Sequence, residues 1–159
     1  MMGAVHGRIG GHFAGYDLHA EFDGTQITGR MGGKVSGKDL NFTYDGAHLW
    51  GRWGGPMEGK DMNCELTEQG LVGRMGGGTV GYDVSLQCDG ARLTGRAGGA
   101  TFGFDLNLTC YPDGRLHGRM GGASFGKDCN LTVTGLPWVV AAALASAVYW
   151  QLSLNNNNS

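Results

Sequence analysis

"GRMGGKVSGKDLNFTYDGAHLWGRWGG" (residues 29–55) begins and ends on the same five-residue pattern, Gly-Arg-x-Gly-Gly. The pattern occurs six times in the 159-residue chain, with successive arginines 22 residues apart four times and 23 apart once. A fixed period of this length is typical of repeat architectures. We therefore expect the fold to be built from six copies of one unit.

Two further positions are constant in every copy. A glycine follows each arginine after seven residues, and an aspartate follows it after nine. Because the constraint recurs within one chain, it indicates that the arginines share one structural role and the aspartates another. The arginines are Arg8, Arg30, Arg52, Arg74, Arg96 and Arg119, and the aspartates are Asp17, Asp39, Asp61, Asp83, Asp105 and Asp128.

Each repeat contains two segments in which apolar and polar residues alternate. Residues 82–88 (YDVSLQC) show the first, and residues 16–22, 38–44 and 104–110 follow the same pattern. The second is shown by residues 92–97 (RLTGRA). Alternation with a period of two is typical of strands with one buried face. The sequence therefore predicts two strands per repeat.

An Asp-Gly pair separates the two segments in three of the repeats, and this dipeptide favours a two-residue type I′ hairpin turn. Thr67-Glu68 and Tyr111-Pro112-Asp113 occupy the equivalent places in two others. These turns fix a register in which each aspartate faces the arginine of the following repeat. The predicted cross-strand pairs are Asp17 with Arg30, Asp39 with Arg52, Asp61 with Arg74, Asp83 with Arg96, and Asp105 with Arg119.

The predicted fold class is all-β: an antiparallel meander of about twelve strands over residues 1–135, either open or closed into a barrel. A β-solenoid is the alternative topology, although it would stack like charges on one another. In the predicted register Arg8 and Asp128 have no partners, so the outer strands carry complementary edges. Closure, polymerisation through these edges, or capping by another element would each satisfy them.

Residues 136–154 (LPWVVAAALASAVYWQLSL) form the single helical pattern, and Pro137 suits a first helical turn. We expect this helix to cover the apolar face of the sheet through Val140, Leu144 and Val148. A membrane anchor and an isolated tail are the alternatives. Residues 155–159 (NNNNS) are expected to be a disordered end.

Composition narrows the range of partners and sites. The net charge is −2, so no nucleic-acid partner is expected. No leader pattern is visible at the amino terminus, which favours a cytoplasmic or membrane-attached location over secretion.

The histidines lack metal-ligand spacing, and we expect no metal and no cofactor. The cysteines are expected to be buried, reduced thiols on the apolar face, with Cys88 and Cys110 too far apart for a disulfide.

The frame DGxxLxGRxGGxxxGxD resembles the MORN repeat, a hairpin unit of 23 residues. Leu49, Gly51 and Trp53 lie where that family has Tyr, Gly and Trp, and the likeness extends over residues 5–134. The 22-residue period is also similar to that of curli-type fibre subunits. The MORN resemblance implies an elongated, non-catalytic hairpin array that attaches to proteins or membranes.

These observations predict a non-catalytic scaffold for attachment to a protein or a membrane surface. In the alternative in which the helix is a membrane anchor, residues 136–154 make the membrane contact. The first alternative is a self-assembling fibre or coat subunit that pairs through its edge strands. The second is a pore-forming barrel with its apolar face outward. Six copies of one Arg/Asp pair are typical of a scaffold, since an active site needs a unique constellation.

Overall fold

The computed structural model describes residues 2–11, 14–32, 37–55, 59–77, 80–99, 102–122 and 126–157. It contains twelve strands and a carboxy-terminal helix, α1. The strands are β1 (Gly3–Gly10), β2 (Gly15–Phe22), β3 (Gln26–Gly32), β4 (Gly37–Tyr44), β5 (His48–Trp53), β6 (Lys60–Leu66), β7 (Gly70–Gly76), β8 (Gly81–Asp89), β9 (Arg92–Gly98), β10 (Gly103–Cys110), β11 (Arg115–Gly121) and β12 (Gly126–Thr134), and α1 is Trp138–Asn157.

All twelve strands form one antiparallel meander that closes into a barrel. The predicted all-β class and meander are therefore confirmed, and the solenoid does not form. The meander has two ends. We call the end with the Gly-Gly segments, where β1 joins β2, β3 joins β4 and so on, the link end. The opposite end, where β2 joins β3 and β12 leads into α1, is the turn end.

Closure, one of the three outcomes considered for the outer strands, occurs between β1 and β12. Arg8 on β1 lies opposite Asn130, two residues beyond Asp128. Arg52 lies in the same way opposite Asn41, two residues beyond Asp39. The closing contact thus repeats the internal register, so the barrel has approximate sixfold symmetry. In this barrel β1 and β12, the edge strands of the predicted open meander, pair with each other.

The turn-end hairpins differ from the predicted register. Their centre lies one residue later, at Gly46-Ala47 rather than Asp45-Gly46, because Tyr44 pairs with Leu49. A type I′ turn needs positive φ at both central residues. Among the described residues only glycines have positive φ, and Gly46 has φ 96°. Glycine at the first central position is the type II′ arrangement.

The aspartates of two of these turns, Asp23 and Asp45, act through their side chains. Asp45 Oδ1 accepts hydrogen bonds from the backbone N–H groups of Ala47 at 2.9 Å and His48 at 2.7 Å. Asp23 accepts equivalent bonds from Thr25 and Gln26. Aspartate commonly stabilises turns by bonding the backbone two residues on. The Asp-Gly motif therefore marks the turn correctly, but its aspartate caps the turn from outside.

Helix α1 lies inside the barrel. It packs against β1, β2 and β12 on one side and against β7, β8 and β9 on the opposite side. Its residues from Val139 to Val148 are buried around the whole circumference, and they form one core with the inward side chains of the strands. A helix that is apolar on every side is typical of a fully buried position. The buried surface of α1 extends beyond the predicted face of Val140, Leu144 and Val148.

The interior position of α1 also settles the orientation of the strand faces. The closure that the pore alternative required is present. The outward apolar face of that alternative is wrong, because the apolar strand residues point toward α1 and the paired arginines and aspartates lie on the outside. In the described sequence, no helix combines the length and the hydropathy that a bilayer crossing requires. The segment expected to be disordered is helical as far as Asn157.

Candidate functional site

The six arginines and six aspartates form ion pairs within their own repeats. Each arginine lies on the strand before a Gly-Gly link, and its aspartate lies directly opposite on the strand after it. The nitrogen–oxygen distances are 2.9 Å for Arg8–Asp17, 3.1 Å for Arg30–Asp39, 2.8 Å for Arg52–Asp61, 2.9 Å for Arg74–Asp83, 2.8 Å for Arg96–Asp105 and 3.0 Å for Arg119–Asp128.

The arginines also bind the backbone of the link itself. Arg96 donates from Nε and Nη2 to the carbonyl oxygen of Gly99, at 3.0 and 2.8 Å, while its Nη1 donates to Asp105. Arg74 makes the same bonds to Gly77 and Asp83. Arg8 and Arg52 repeat the carbonyl contacts with Gly11 and Gly55. The arginine between glycines therefore fastens the link to the strand that follows it.

The predicted pairing across the turn end was wrong. Asp39 does not face Arg52, because the turn is centred one residue later and brings Asn41 opposite that arginine. The same offset applies to the other four predicted pairs. Arg8 and Asp128, predicted to be unpaired, are bonded to Asp17 and Arg119. The residues that actually face the arginines across the turn-end hairpins are His19, Asn41, Asn63, Ser85 and Asn107.

These ion pairs lie on the outside of the barrel. The arginine side chains are 33% to 57% exposed and the aspartate side chains 61% to 78% exposed. Exposed pairs contribute about 0 to 1 kcal/mol each because water screens them. Their role is therefore to fix the register of the links, and they do not form a recessed constellation for chemistry.

A different group of residues surrounds the mouth of the barrel at the link end. In every repeat the residue before the aspartate lies on the inward face of its strand at the link end, and in three repeats it contacts the carboxy-terminal part of α1. Tyr82 packs against Trp150 with ring centroids 4.9 Å apart, and Phe104 packs against Tyr149 at 4.4 Å, each pair in a tilted arrangement. The six residues at this position are Tyr16, Lys38, Lys60, Tyr82, Phe104 and Lys127.

Lysine and aromatic side chains meet at this mouth. Lys60 Nζ lies 5.3 Å from the centroid of the Trp150 ring, a cation–π distance. A cavity of about 390 Å³ opens beside it. Its lining residues are Lys60, Val80, Gly81, Tyr82, Phe102, Trp150 and Leu154. An adjoining cavity of about 240 Å³ shares Lys60, Val80 and Trp150.

Two of the lining residues project into solvent from neighbouring links. Val80 is 71% exposed and Phe102 is 76% exposed. The link backbones close on themselves, since the Gly77 N–H donates to Val80 O at 2.6 Å and the Gly99 N–H donates to Phe102 O at 2.7 Å. These bonds use backbone groups only, so the turn geometry does not require an apolar side chain at either position.

Sequence reasoning missed this mouth. The signal was present, since the residue before each aspartate is aromatic or lysine in all six copies, and an apolar residue recurs just before the glycine that ends each of the last three links. Both patterns were obscured because inward-facing lysines at strand ends look like breaks in the alternation. Only closure, with α1 inside, brings these positions around one opening.

The thiol groups lie on the core side, as expected, and all four cysteines are free. Burial raises the pKa of Cys64 and of Cys129 to about 12. Burial and the neighbouring Cys88 thiol raise the pKa of Cys110 to about 12. The Cys88 and Cys110 thiols interact although β9 separates their strands, because inward side chains converge toward the barrel axis. Cys88 itself is only half-buried.

Among the described residues, no group of three or more His, Cys, Asp or Glu side chains is arranged to bind a metal ion. No protein-family model, curated protein or solved structure matches the chain. The MORN resemblance therefore stays a prediction about the repeat unit.

Proposed function

We propose that the chain is a non-catalytic scaffold that attaches to a protein or membrane surface through the link end of its barrel. The observation that carries this proposal is the mouth at that end. Val80 and Phe102 project from adjacent links beside Trp150 and Lys60. Exposed apolar groups next to cations are typical of attachment surfaces.

The construction of the barrel supports a scaffold role. The strands pair around the whole circumference, and α1 fills the axis, so the link-end surface is presented on a preformed body. A preformed surface binds without the ordering cost that a flexible segment must meet. The outer wall is lined with ion pairs that serve the fold, which leaves the ends as the places for partner contact.

The chemistry of the outer wall supports a non-catalytic role. A catalytic group acts from a unique, recessed position with a reacting partner held nearby. The Arg/Asp pairs are exposed and occur six times, once in each repeat. Loss of one pair should therefore remove a local structural contact and leave attachment intact.

Sedimentation with the particulate fraction of a cell lysate, which contains membranes and their attached proteins, tests the proposal. We expect the full chain to sediment with this fraction. The variant V80D/F102D should stay in solution, whereas the matched variant W50D/V72D, which places the same charges on the outer wall, should sediment. R52A should also sediment. A wild-type chain that remains in solution, or equal sedimentation of both double variants, would overturn the proposal.

A further inference from the structure

The two ends of the barrel carry opposite surplus charge. At the link end the Arg/Asp pairs neutralise one another, and the described lysines, Lys38, Lys60 and Lys127, add positive charge. Among the described side chains of the turn end, the arginines and lysines are Arg92 and Arg115. The turn-end carboxylates outnumber them and are Glu21, Asp23, Asp45, Glu65, Glu68, Asp89 and Asp113.

The apolar residues are segregated in the same direction. Val80 and Phe102 are the most exposed large apolar side chains among the described residues after Met2. Both lie at the link end, beside Tyr82 and Trp150. One end of the barrel thus combines positive charge, aromatic rings and protruding apolar groups, while the other end is acidic.

This combination matches the surface of an anionic bilayer. Apolar side chains on loop tips enter the boundary between headgroups and acyl chains, and aromatic rings favour the same depth. Lysines within a Debye length of the surface are attracted by anionic headgroups. The symmetry of the barrel also places the links at similar heights around the axis, so neighbouring links can reach one plane together.

We propose that the link end docks on the surface of an anionic lipid bilayer, with Val80 and Phe102 inserted and the lysines of the mouth against the headgroups. The inference rests on the proposed attachment function and names its target. The acidic turn end then faces away from the membrane. Helix α1 stays inside the barrel, so the inserted side chains come from the links and α1 contributes only the Trp150 end of the mouth.

Flotation of the full chain with protein-free vesicles tests the inference. One set contains phosphatidylcholine alone and the other contains phosphatidylserine as well. We expect binding to the phosphatidylserine vesicles, weakened by added salt, and a loss of about tenfold or more in V80D/F102D. W50D/V72D should bind as the wild type does, and K38Q/K127Q should lose the preference for phosphatidylserine. Thermal unfolding of each variant confirms that it is folded.

The outcomes separate this inference from the proposed function. If the wild type sediments with the particulate fraction but ignores both kinds of vesicle, and if protease treatment of that fraction abolishes sedimentation, the partner is a protein and the lipid inference is wrong. Equal vesicle binding by V80D/F102D and W50D/V72D would also overturn it. If the wild type neither sediments with the particulate fraction nor floats with the vesicles, the proposed function is wrong as well.

Discussion

Trp53 on β5 donates a hydrogen bond from Nε1 to Gln151 Oε1 on α1, at 3.2 Å and inside the core. Gln151 is one of two buried polar residues among those described, and Trp53 is fully buried. The neighbouring Trp150 packs edge-on against the same indole, with ring centroids 5.9 Å apart. This bond joins the helix to the wall, and it fixes both the rotation of α1 and its depth along the axis.

Replacement of Gln151 by leucine should destabilise the protein. The change keeps most of the apolar volume but leaves the Trp53 N–H buried without this acceptor, which costs about 1 to 3 kcal/mol. Urea unfolding measures the loss of free energy. The matched control is Q87L on the exposed face of β8, which should change stability by less than about 0.5 kcal/mol. Equal effects of the two changes would show that the bond does not tie α1 to the barrel.

Removal of α1 should leave the barrel without its core. A chain ending at residue 135 would expose the inward apolar side chains of twelve strands to water. We expect it to lose its cooperative thermal transition and to bind a hydrophobic dye, as loosely packed states do. A chain ending at Leu154 is the control and should melt like the full chain. Cooperative melting of the shorter chain at the temperature of the full chain would contradict a structural role for α1.

The position of α1 could not be predicted from its sequence alone. Its apolar character on all sides is compatible with burial in a protein or in a bilayer, and Ser146 and Gln151 are ambiguous until their partners are known. In the structure Ser146 Oγ donates to Ala142 O, within the helix, and Gln151 accepts from Trp53. Ser146 is thus satisfied within the helix itself, whereas the contact of Gln151 exists only in the folded barrel. The repeat period, by contrast, predicted the strand number and the meander.

The ion-pair register can be measured by double-mutant cycles. Arg74 bonds Asp83 at 2.9 Å, whereas the sequence-based register pairs Asp83 with Arg96. We expect a coupling free energy of about 0.2 to 1 kcal/mol between Arg74 and Asp83 and a value near zero between Asp83 and Arg96. Unfolding of the single and double alanine variants provides both values. Coupling in the second pair only would support the turn register that the structure contradicts.

That register was mispredicted because Asp-Gly supports two turn geometries that differ by one residue in position. In one geometry the aspartate is a central residue of the turn, and in the other it lies just before the central pair and caps the turn with its side chain. A free carboxylate oxygen near two backbone N–H groups favours the capping geometry. The sequence shows the dipeptide but not the direction of its side chain. The Arg/Asp spacing of nine residues was nevertheless informative, because it is the separation of two residues that face each other across a link.

The glycine before each arginine should be intolerant of a side chain. A Cβ built at Gly51 would lie 2.2 Å from Asn41 O and 2.7 Å from Phe42 Cδ1, so the strands would have to separate. We expect G51A to lose about 1 to 3 kcal/mol. At Gly55, in the link, a Cβ meets no atom within 4 Å, and G55A should be nearly neutral. Comparable stability losses in both variants would show that close strand approach is not the reason for the glycine.

Acid should weaken the turn-end caps. Hydrogen bonds from the backbone N–H groups of Ala47 and His48 hold the pKa of Asp45 below its ordinary value of 3.8. A carboxyl whose pKa is lower in the folded state stabilises that state fully above the unfolded pKa and loses this contribution as pH falls through the folded pKa.

The stability difference between the wild type and D45N should therefore be constant near neutral pH and should shift against the wild type below about pH 4. The asparagine retains a side-chain oxygen for the turn but does not titrate. Urea unfolding of both proteins at pH 6 and at pH 3 measures the change. D45A, which lacks the acceptor oxygen, should have a reduced free energy of unfolding at both pH values. A wild-type advantage that grows on acidification would mean that the Asp45 carboxylate opposes the turn it caps.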